Sequence, residues 1–278
     1  MLFLLLAIAC SAMVSVFLRL SAEKTKNDSA VLVCNYLTCG IVACFYIGTQ
    51  GIFPNSPALP ATLGMGVVHG ILYLVVLVLF QRNVQKNGVV LSSVFMKLGL
   101  LVPMVLSIFL FREIPTAVQC LGFVIAIAAI VLINQRKGAT TSVSPVSLIL
   151  LLLCAGSADS MTKIFESLGQ ASHAAQFLLY TFLVAFILSI GLLLKKKQRI
   201  GICDVLFGIL VGIPNFFSTK FLLRALEALP AVVAYPVFSV GTLLVITLAG
   251  VLLFREALSK KQWFAVAAIL VALILLNM

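Results

Sequence analysis

Two long apolar stretches of this chain carry the same pattern 143 positions apart, at residues 92–134 and 235–277. The sequence Leu-Phe-Arg-Glu occurs at 110–113 and again at 253–256, between two apolar runs in each case. The other matches at this offset are Val94-Phe95 with Val237-Phe238, Gln119 with Gln262, and Asn134 with Asn277. Self-similarity at one fixed offset is typical of a duplicated structural unit. The chain is therefore predicted to contain two copies of one fold.

The composition places both copies in a membrane. Hydrophobic residues make up 63% of the chain and charged residues 10%, whereas a soluble domain has about 45–50% apolar and about 25% charged residues. The net charge is +11, but the basic residues stand between apolar runs and not in tracts with interleaved aromatic residues. This pattern indicates lysines that flank membrane spans, and it predicts a lipid bilayer as partner and no nucleic acid.

Ten apolar runs approach the length of about 20 residues that a membrane-crossing helix needs. They are residues 2–20, 30–49, 61–81, 87–111, 115–134, 146–167, 172–194, 202–226, 230–254 and 260–277. We predict a first repeat at 1–137, a linker at 138–145 and a second repeat at 146–278. Because five spans is an odd number, the second copy must enter the bilayer from the opposite side. The predicted fold class is an all-α integral membrane protein with ten transmembrane helices in two inverted-topology five-helix repeats.

The distribution of basic residues predicts the orientation. The connections after the odd-numbered spans carry most of the lysines and arginines, for example Lys24, Arg82, Arg136 and residues 195–197. Because cytoplasmic loops are enriched in such residues, both termini are predicted to be extracytoplasmic, in a bacterial-type plasma (inner) membrane. Residues 2–20 lack a basic leading segment, so we interpret them as the first span and not as a cleaved signal peptide.

The two Leu-Phe-Arg-Glu motifs, and the small-residue helices after them, resemble the EamA-type drug/metabolite transporter superfamily over nearly the whole chain. The resemblance implies a ten-helix alternating-access carrier with a central cavity. Well-studied members generally have cytoplasmic termini, which disagrees with the charge distribution. The sequence Phe-Met-Lys-Leu-Gly at 95–99 is also similar to the nucleotide-sugar and phosphosugar branch, in which a lysine of the fourth span meets the substrate phosphate. The resemblance thus implies that role for Lys97.

Lys97 is the most informative polar residue inside a span. It lies about ten residues into the fourth run, hence roughly 15 Å from the nearer end at about 1.5 Å per residue. An ionisable side chain at such a depth costs at least about 2.5–3.5 kcal/mol on insertion scales. It either pairs with Asp159 as a structural contact or faces a cavity as a cation for substrate or a coupling proton. Ser93, one turn earlier, lies on the same helix face.

Other interior charges leave similar alternatives open. Asp159 and Lys163 are four residues apart and either neutralise each other or serve a site, and Lys163 is also near enough to the helix end to extend to the interface. Lys220 either extends to the interface or lines a cavity, near Asn215 of the same span. Lys97 and Lys220 are not repeated at the offset of 143 positions, since Lys97 matches Val240 and Lys220 matches Leu77. The remaining candidates for substrate contact, which could equally form interhelical hydrogen bonds, are Asn35, Tyr36, His69, Tyr73, Gln176, Tyr180 and Tyr235.

These residues predict a secondary active transporter of a small polar metabolite, anionic or zwitterionic, that works by alternating access. Two other classes remain open: an exporter of cationic or amphipathic drugs, and a non-transporting membrane component such as a flippase subunit. The sequence has no nucleophile–base constellation, phosphate loop or metal-ligand spacing, so we predict no enzyme activity, no cofactor and no metal. Two repeats already complete the pair, so a monomer is sufficient.

Overall fold

The chain is almost entirely helical in its computed structural model, which describes residues 1–25, 27–48, 51–87, 95–96, 98–112, 114–133, 145–196, 200–254 and 260–276. A short 3-10 turn, Ala171–His173, leads into the seventh α-helix. The ten α-helices in the described ranges are α1 (Leu2–Lys24), α2 (Asp28–Ile47), α3 (Leu59–Asn87), α4 (Leu101–Phe111), α5 (Ala117–Ile133), α6 (Pro145–Leu168), α7 (Ala174–Lys196), α8 (Ile202–Leu226), α9 (Ala231–Phe254) and α10 (Lys260–Leu276). The predicted all-α class is confirmed.

Six of the described helices, α2, α3, α6, α7, α8 and α9, are long and apolar enough to cross a membrane. Shorter apolar segments lie in α1, α4 and α5. Apolar helices suit a bilayer because each one satisfies its backbone hydrogen bonds internally. The chain is therefore an integral, multi-pass membrane protein.

Two helices continue beyond their predicted spans. α1 ends at Lys24 and not at residue 20, and α3 ends at Asn87 and not at residue 81. Residue 87, where the fourth span was predicted to begin, therefore belongs to α3. Polar residues can prolong a helix past its apolar run because adding a residue to an existing helix forms one more backbone hydrogen bond without a new nucleation step. In this extension the side-chain amide of Asn83 donates to the carbonyls of Leu79, at 2.9 Å, and Ser147, at 3.1 Å.

The structure divides into two compact units. Unit A comprises Leu2–Leu74 and Met161–Arg224, and unit B comprises Val75–Ser160 and Ala225–Met278 together with Met1. The boundaries fall within α3, α6 and α8. Each unit therefore contains helices from both halves of the sequence.

In unit A, α2 and α7 pack against each other in opposite directions. Gln176 and Tyr180, near the start of α7, donate hydrogen bonds to the carbonyls of Gly51 and Ile52, which follow the end of α2. The start of α7 therefore lies beside the end of α2. These are the second helices of the two sequence halves.

Pairs of glycines bring the third helices of the two halves into close contact with the α2–α7 pair. On α3 the pair is Gly66 and Gly70, and on α8 it is Gly208 and Gly212. A Cβ atom at Gly66 would lie 2.7 Å from the Cβ of Tyr180 on α7, and one at Gly212 would lie 2.6 Å from the Cβ of Thr38 on α2. Glycines four residues apart allow such close backbone approach in membrane helices. Hence α3 of the first half packs on α7 of the second half, and α8 of the second half packs on α2 of the first. The two contacts are the same with the halves exchanged.

In unit B the fifth helices of the two halves, α5 and α10, also pack in opposite directions. A Cβ atom at Gly122, near the start of α5, would lie 2.9 Å from the Cβ of Leu275, near the end of α10. Helix α9 contacts α4, α5 and α10. Gly99 approaches Gly156 of α6 so closely that a Cβ at Gly99 would lie 2.9 Å from the Gly156 nitrogen. Small residues thus set the helix spacing in this unit as well.

Candidate functional site

A cavity of about 240 Å³ lies in unit A between the end of α2, the first turn of α7 and the second half of α8. Pockets for drug-sized ligands usually measure about 300–1,000 Å³, so this one suits a smaller molecule. Its lining combines cationic, hydroxyl, aromatic and aliphatic groups, among them Tyr46, Ser172, Leu178, Phe216, Lys220 and Arg224. Such a mixed lining can hold a polar group at one end of a ligand and an apolar body at the other.

The cationic wall of the cavity comes from α8. Lys220 and Arg224 are four residues apart, hence on the same helix face, and both line the cavity. The lysine ammonium lies 2.9 Å from the ring centroid of Tyr46. A cation over an aromatic face contributes about 0.5–2 kcal/mol, so the ring holds Lys220 in the wall. The structure thus places Lys220 on the cavity, one of the two alternatives that the sequence left open.

Aromatic neighbours fix the orientation of the Tyr46 ring. It stacks on Phe216, with centroids 5.6 Å apart, and meets Phe217 edge to face at 5.8 Å. Both phenylalanines are on α8, about one turn before Lys220. The ring and the ammonium are therefore positioned by the same helix.

Buried polar contacts join α8 to α2 behind the cavity. The side-chain amide of Asn215 donates to Oδ1 of Asn35 at 3.2 Å, and Cys39 donates through its sulfur to the carbonyl of Gly212 at 3.2 Å. Pro214 lies inside α8 at this level, where its missing N–H removes one backbone hydrogen bond from the helix. Asn35 is only 3% exposed. Asn35 and Asn215 thus make an interhelical hydrogen bond and do not belong to the cavity lining.

A second polar group joins α3 to α7 and α8. His69, 1% exposed, stacks on Phe177 with ring centroids 5.3 Å apart, and its Nδ1 lies 3.3 Å from the hydroxyl of Thr181. Tyr73 packs edge to face on His69 and shares a hydrogen bond of 3.2 Å with the hydroxyl of Thr219. The two candidates are thus close together, and both are engaged between helices. Tyr36 of α2 is also buried.

Gln176 and Tyr180 hold the segment after α2 through the two carbonyl contacts already described. Phe53 of this segment stacks on Tyr180, with ring centroids 6.1 Å apart. In unit B, Tyr235 of α9 donates through its hydroxyl to the backbone carbonyl of Asp159, at 2.6 Å. The residues that line the cavity do not include the candidates Gln176, Tyr180, Asp159 and Tyr235.

One interpretation of the sequence had the Lys163 side chain extend to the membrane interface. The structure instead buries this side chain. Lys163 is only 5% exposed, and its ammonium donates to Oε2 of Glu166 at 2.7 Å. The hydroxyl of Ser167 donates to the same carboxylate oxygen at 3.0 Å. Glu166 therefore takes part in neutralising Lys163, whereas the sequence had suggested Asp159 as one possible partner. Burial favours such pairing because an unpaired charge is costly away from water.

Lys97 and Ser93 lie outside the described residues. Sequence reasoning missed several cavity residues that the structure reveals, namely Tyr46, Ser172 and Phe216. The spacing of Lys220 and Arg224 signalled one wall, but no pattern along the chain indicates that Tyr46 lies opposite. His173 was also not selected; it is 5% exposed, and its Nδ1 has no hydrogen-bond partner among the described residues. No group of His, Cys, Asp or Glu side chains in the described ranges is arranged to hold a metal ion.

Comparison with known proteins gives the same architecture. A solved crystal structure superposes with a TM-score of 0.74 over 99% of this chain and 98% of that chain, at 16% identity, which shows the fold alone. An uncharacterized protein of Haemophilus influenzae is 25% identical over 272 residues, covering 95% of this chain and 93% of that protein. A probable 4-amino-4-deoxy-L-arabinose-phosphoundecaprenol flippase subunit, ArnE of Proteus mirabilis, is 36% identical over 62 residues, covering 22% of this chain and 54% of that protein.

The family comparison covers nearly every residue. The model of the EamA-like transporter family matches twice, at residues 1–135 and 145–278. The two matches correspond to the two halves that the internal repeat indicated. With both halves matched, the chain belongs to the EamA-like transporter family, within the drug/metabolite transporter superfamily.

Proposed function

We propose that this protein is a secondary active transporter that moves a small polar metabolite, anionic or zwitterionic, across a bacterial-type inner membrane by alternating access. The observation that carries the proposal is the cavity of about 240 Å³ with Lys220 and Arg224 in its wall. Its size favours a metabolite over an amphipathic drug, and its charge favours an anionic group. We place Lys97 in the same role by sequence alone, and we propose that a monomer is sufficient.

Alternating access between two inverted five-helix repeats agrees with the helix packing. Helices α2 and α7 are matched elements of the two halves and run in opposite directions, and so do α5 and α10. A two-fold axis in the membrane plane, the symmetry of an inverted repeat, requires this arrangement of matched helices. The exchange of halves in the glycine contacts of α3 and α8 supports the same symmetry. Ten membrane-spanning helices and extracytoplasmic termini are parts of this proposal.

Transport by the purified full-length protein in proteoliposomes tests the proposal. A panel of radiolabelled carboxylates, sugar phosphates and amino acids is offered to wild-type protein and to Lys220→Met, Lys220→Arg and Lys195→Met. Lys195 is the matched control, because it is exposed at the end of α7. A hydrogen bond to a charged group contributes about 1.5–3 kcal/mol, so we expect Lys220→Met to lower the transport efficiency at least tenfold.

Lys220→Arg should retain most of the transport, since the positive charge is kept, and Lys195→Met should match the wild type. Unchanged transport of an anionic substrate by Lys220→Met would overturn the role of the cavity. Failure of the wild type to accumulate any member of the panel would count against transport of small polar metabolites.

A flippase subunit is the second candidate, and the ArnE similarity favours it. That protein's name specifies a phosphoundecaprenol-linked sugar, and the cations of this cavity suit a phosphate as well as a carboxylate. Flipping of a fluorescent phosphopolyprenyl lipid in liposomes, measured by reduction of the dye in the outer leaflet, separates the two functions. Flipping without uptake of water-soluble compounds would support the flippase subunit.

A further inference from the structure

We propose that the cavity of unit A selects small organic anions with an apolar body and rejects the corresponding amino acids. This inference rests on the proposed transport function and narrows its substrate from polar metabolites in general to acids that carry no ammonium group. The charged side chains of the lining favour an anionic ligand, and its apolar side chains favour a ligand with an apolar body.

All the charged side chains of the cavity wall have the same sign. Lys220 and Arg224 line it, and none of its described lining residues is an aspartate or a glutamate. Residues of the first turn of α7, such as Ala174 and Ala175, also line it, and the N-terminal end of a helix carries a partial positive charge. A carboxylate in this cavity gains charge-assisted hydrogen bonds. An ammonium group of a ligand meets the like charge of Lys220 and Arg224, which is unfavourable.

The aromatic face that could accept a substrate cation is already occupied. Ammonium groups bind over tryptophan, tyrosine and phenylalanine rings. The aromatic residues of the described lining are Tyr46 and Phe216, and Phe216 stacks on Tyr46 with ring centroids 5.6 Å apart. The ammonium of Lys220 lies 2.9 Å from the centroid of the Tyr46 ring. Lys220 thus both supplies a cation for an anionic ligand and blocks the ring against a cationic one.

Apart from the hydroxyl of Ser172, the rest of the lining is mainly apolar and limits the ligand's size. Leu178, Phe216 and Leu223 contribute aliphatic and aromatic surface to a volume of about 240 Å³. Such surface stabilises a ligand body that is itself apolar. A branched-chain or phenyl carboxylic acid combines the required charge with such a body, at a size below that of drug-like molecules.

Pairs of compounds that differ by one ammonium group test the inference on the full-length protein in nanodiscs. Binding of radiolabelled 3-phenylpropanoate is measured by equilibrium dialysis, with 4-methylpentanoate, L-phenylalanine and L-leucine as competitors. We expect the two acids to bind, and each amino acid to compete at least tenfold more weakly than the acid of matching shape. A tenfold difference corresponds to about 1.4 kcal/mol, which is less than the several kcal/mol that like-charge contact costs.

Variants of Lys220 separate site binding from partition into the lipid. Lys220→Gln should lower the binding of 3-phenylpropanoate at least tenfold and reduce its advantage over L-phenylalanine, whereas Lys220→Arg and the exposed control Lys195→Gln should keep both. Size-exclusion profiles show that each variant is folded. The inference is overturned if the amino acids compete as well as the acids, or if wild type and Lys220→Gln bind 3-phenylpropanoate equally.

The proteoliposome panel judges the broader function independently. Uptake of an amino acid in that assay would support the proposed transport function and would contradict the proposed restriction to acids without an ammonium group. Absence of uptake for every member of the panel, combined with selective binding of 3-phenylpropanoate, would keep the site and reject transport of those compounds.

Discussion

Two alanine substitutions two residues apart on α3 test whether glycine contacts set the helix spacing of unit A. Gly66 is buried, and an added Cβ would lie 2.7 Å from the Cβ of Tyr180 and 3.2 Å from the carbonyl oxygen of Phe177. Since non-bonded carbon atoms prefer separations of about 3.5–4.0 Å, α3 must move away from α7 by roughly 1 Å. Gly64 is exposed, and a Cβ there has nothing within 4 Å.

The two substitutions should therefore change stability in opposite directions. Overpacking costs about 1–3 kcal/mol, and it acts only in Gly66→Ala. Replacing a mid-helix glycine by alanine contributes about 0.5–1 kcal/mol in both variants. The difference between the variants is then the overpacking energy of about 1–3 kcal/mol. At about 2–4 °C per kcal/mol, we expect Gly66→Ala to unfold roughly 2–12 °C below Gly64→Ala.

Thermal unfolding of the purified protein in detergent, followed by far-UV circular dichroism and by loss of the monodisperse size-exclusion peak, measures this difference. Gly64→Ala should be as stable as the wild type or slightly more so. If both variants shift equally, or if Gly66→Ala is the more stable, then the backbone of α3 does not contact α7 as described.

Two further predictions concern buried polar groups. Asn215→Leu alone removes the amide that donates to the Asn35 side chain and should lower the free energy of unfolding by about 1–3 kcal/mol. Adding Asn35→Leu should recover part of this loss. A double-mutant cycle of chemical unfolding measures the coupling, and additive effects would contradict the contact. His69→Phe should change the free energy of unfolding by less than about 1.5 kcal/mol, because the stack on Phe177 is kept and Thr181 also donates to the Phe177 carbonyl at 2.9 Å. His69→Ala should lower it by about 3–5 kcal/mol, since a large buried ring is removed. Equal losses in the two variants would show that the imidazole itself is required.

The sequence alone was sufficient for the class, the duplication and the family. A helix needs about 20 apolar residues to cross a bilayer, so runs of that length can be recognised without any tertiary information. The helix ends were predicted less well. α3 continues to Asn87 because nothing in a polar segment such as residues 82–87 prevents helix formation once a helix has begun.

The candidate site could be predicted only in part. Lys220 was selected because a charge inside a span is costly and demands a partner. Its partner, Tyr46, was not selected, since a tyrosine near a helix end is common at membrane interfaces. Asn35, His69, Tyr73 and their neighbours were selected for the same polar character, yet the structure engages them between helices. Polarity within a span indicates that a side chain needs a partner, but not which partner it has.

The sequence by itself determined that this chain crosses a membrane many times, in two related halves, because hydrophobic length and repetition are properties of the linear chain. Only the tertiary structure decided that helices from both halves combine within each unit, that glycine pairs on α3 and α8 make the same contact with exchanged partners, and that Lys220 lies over the ring of Tyr46. These features depend on which helix faces meet. Tyr46 and Lys220 are 174 positions apart in the sequence, and only the packing of their helices brings the two side chains into contact.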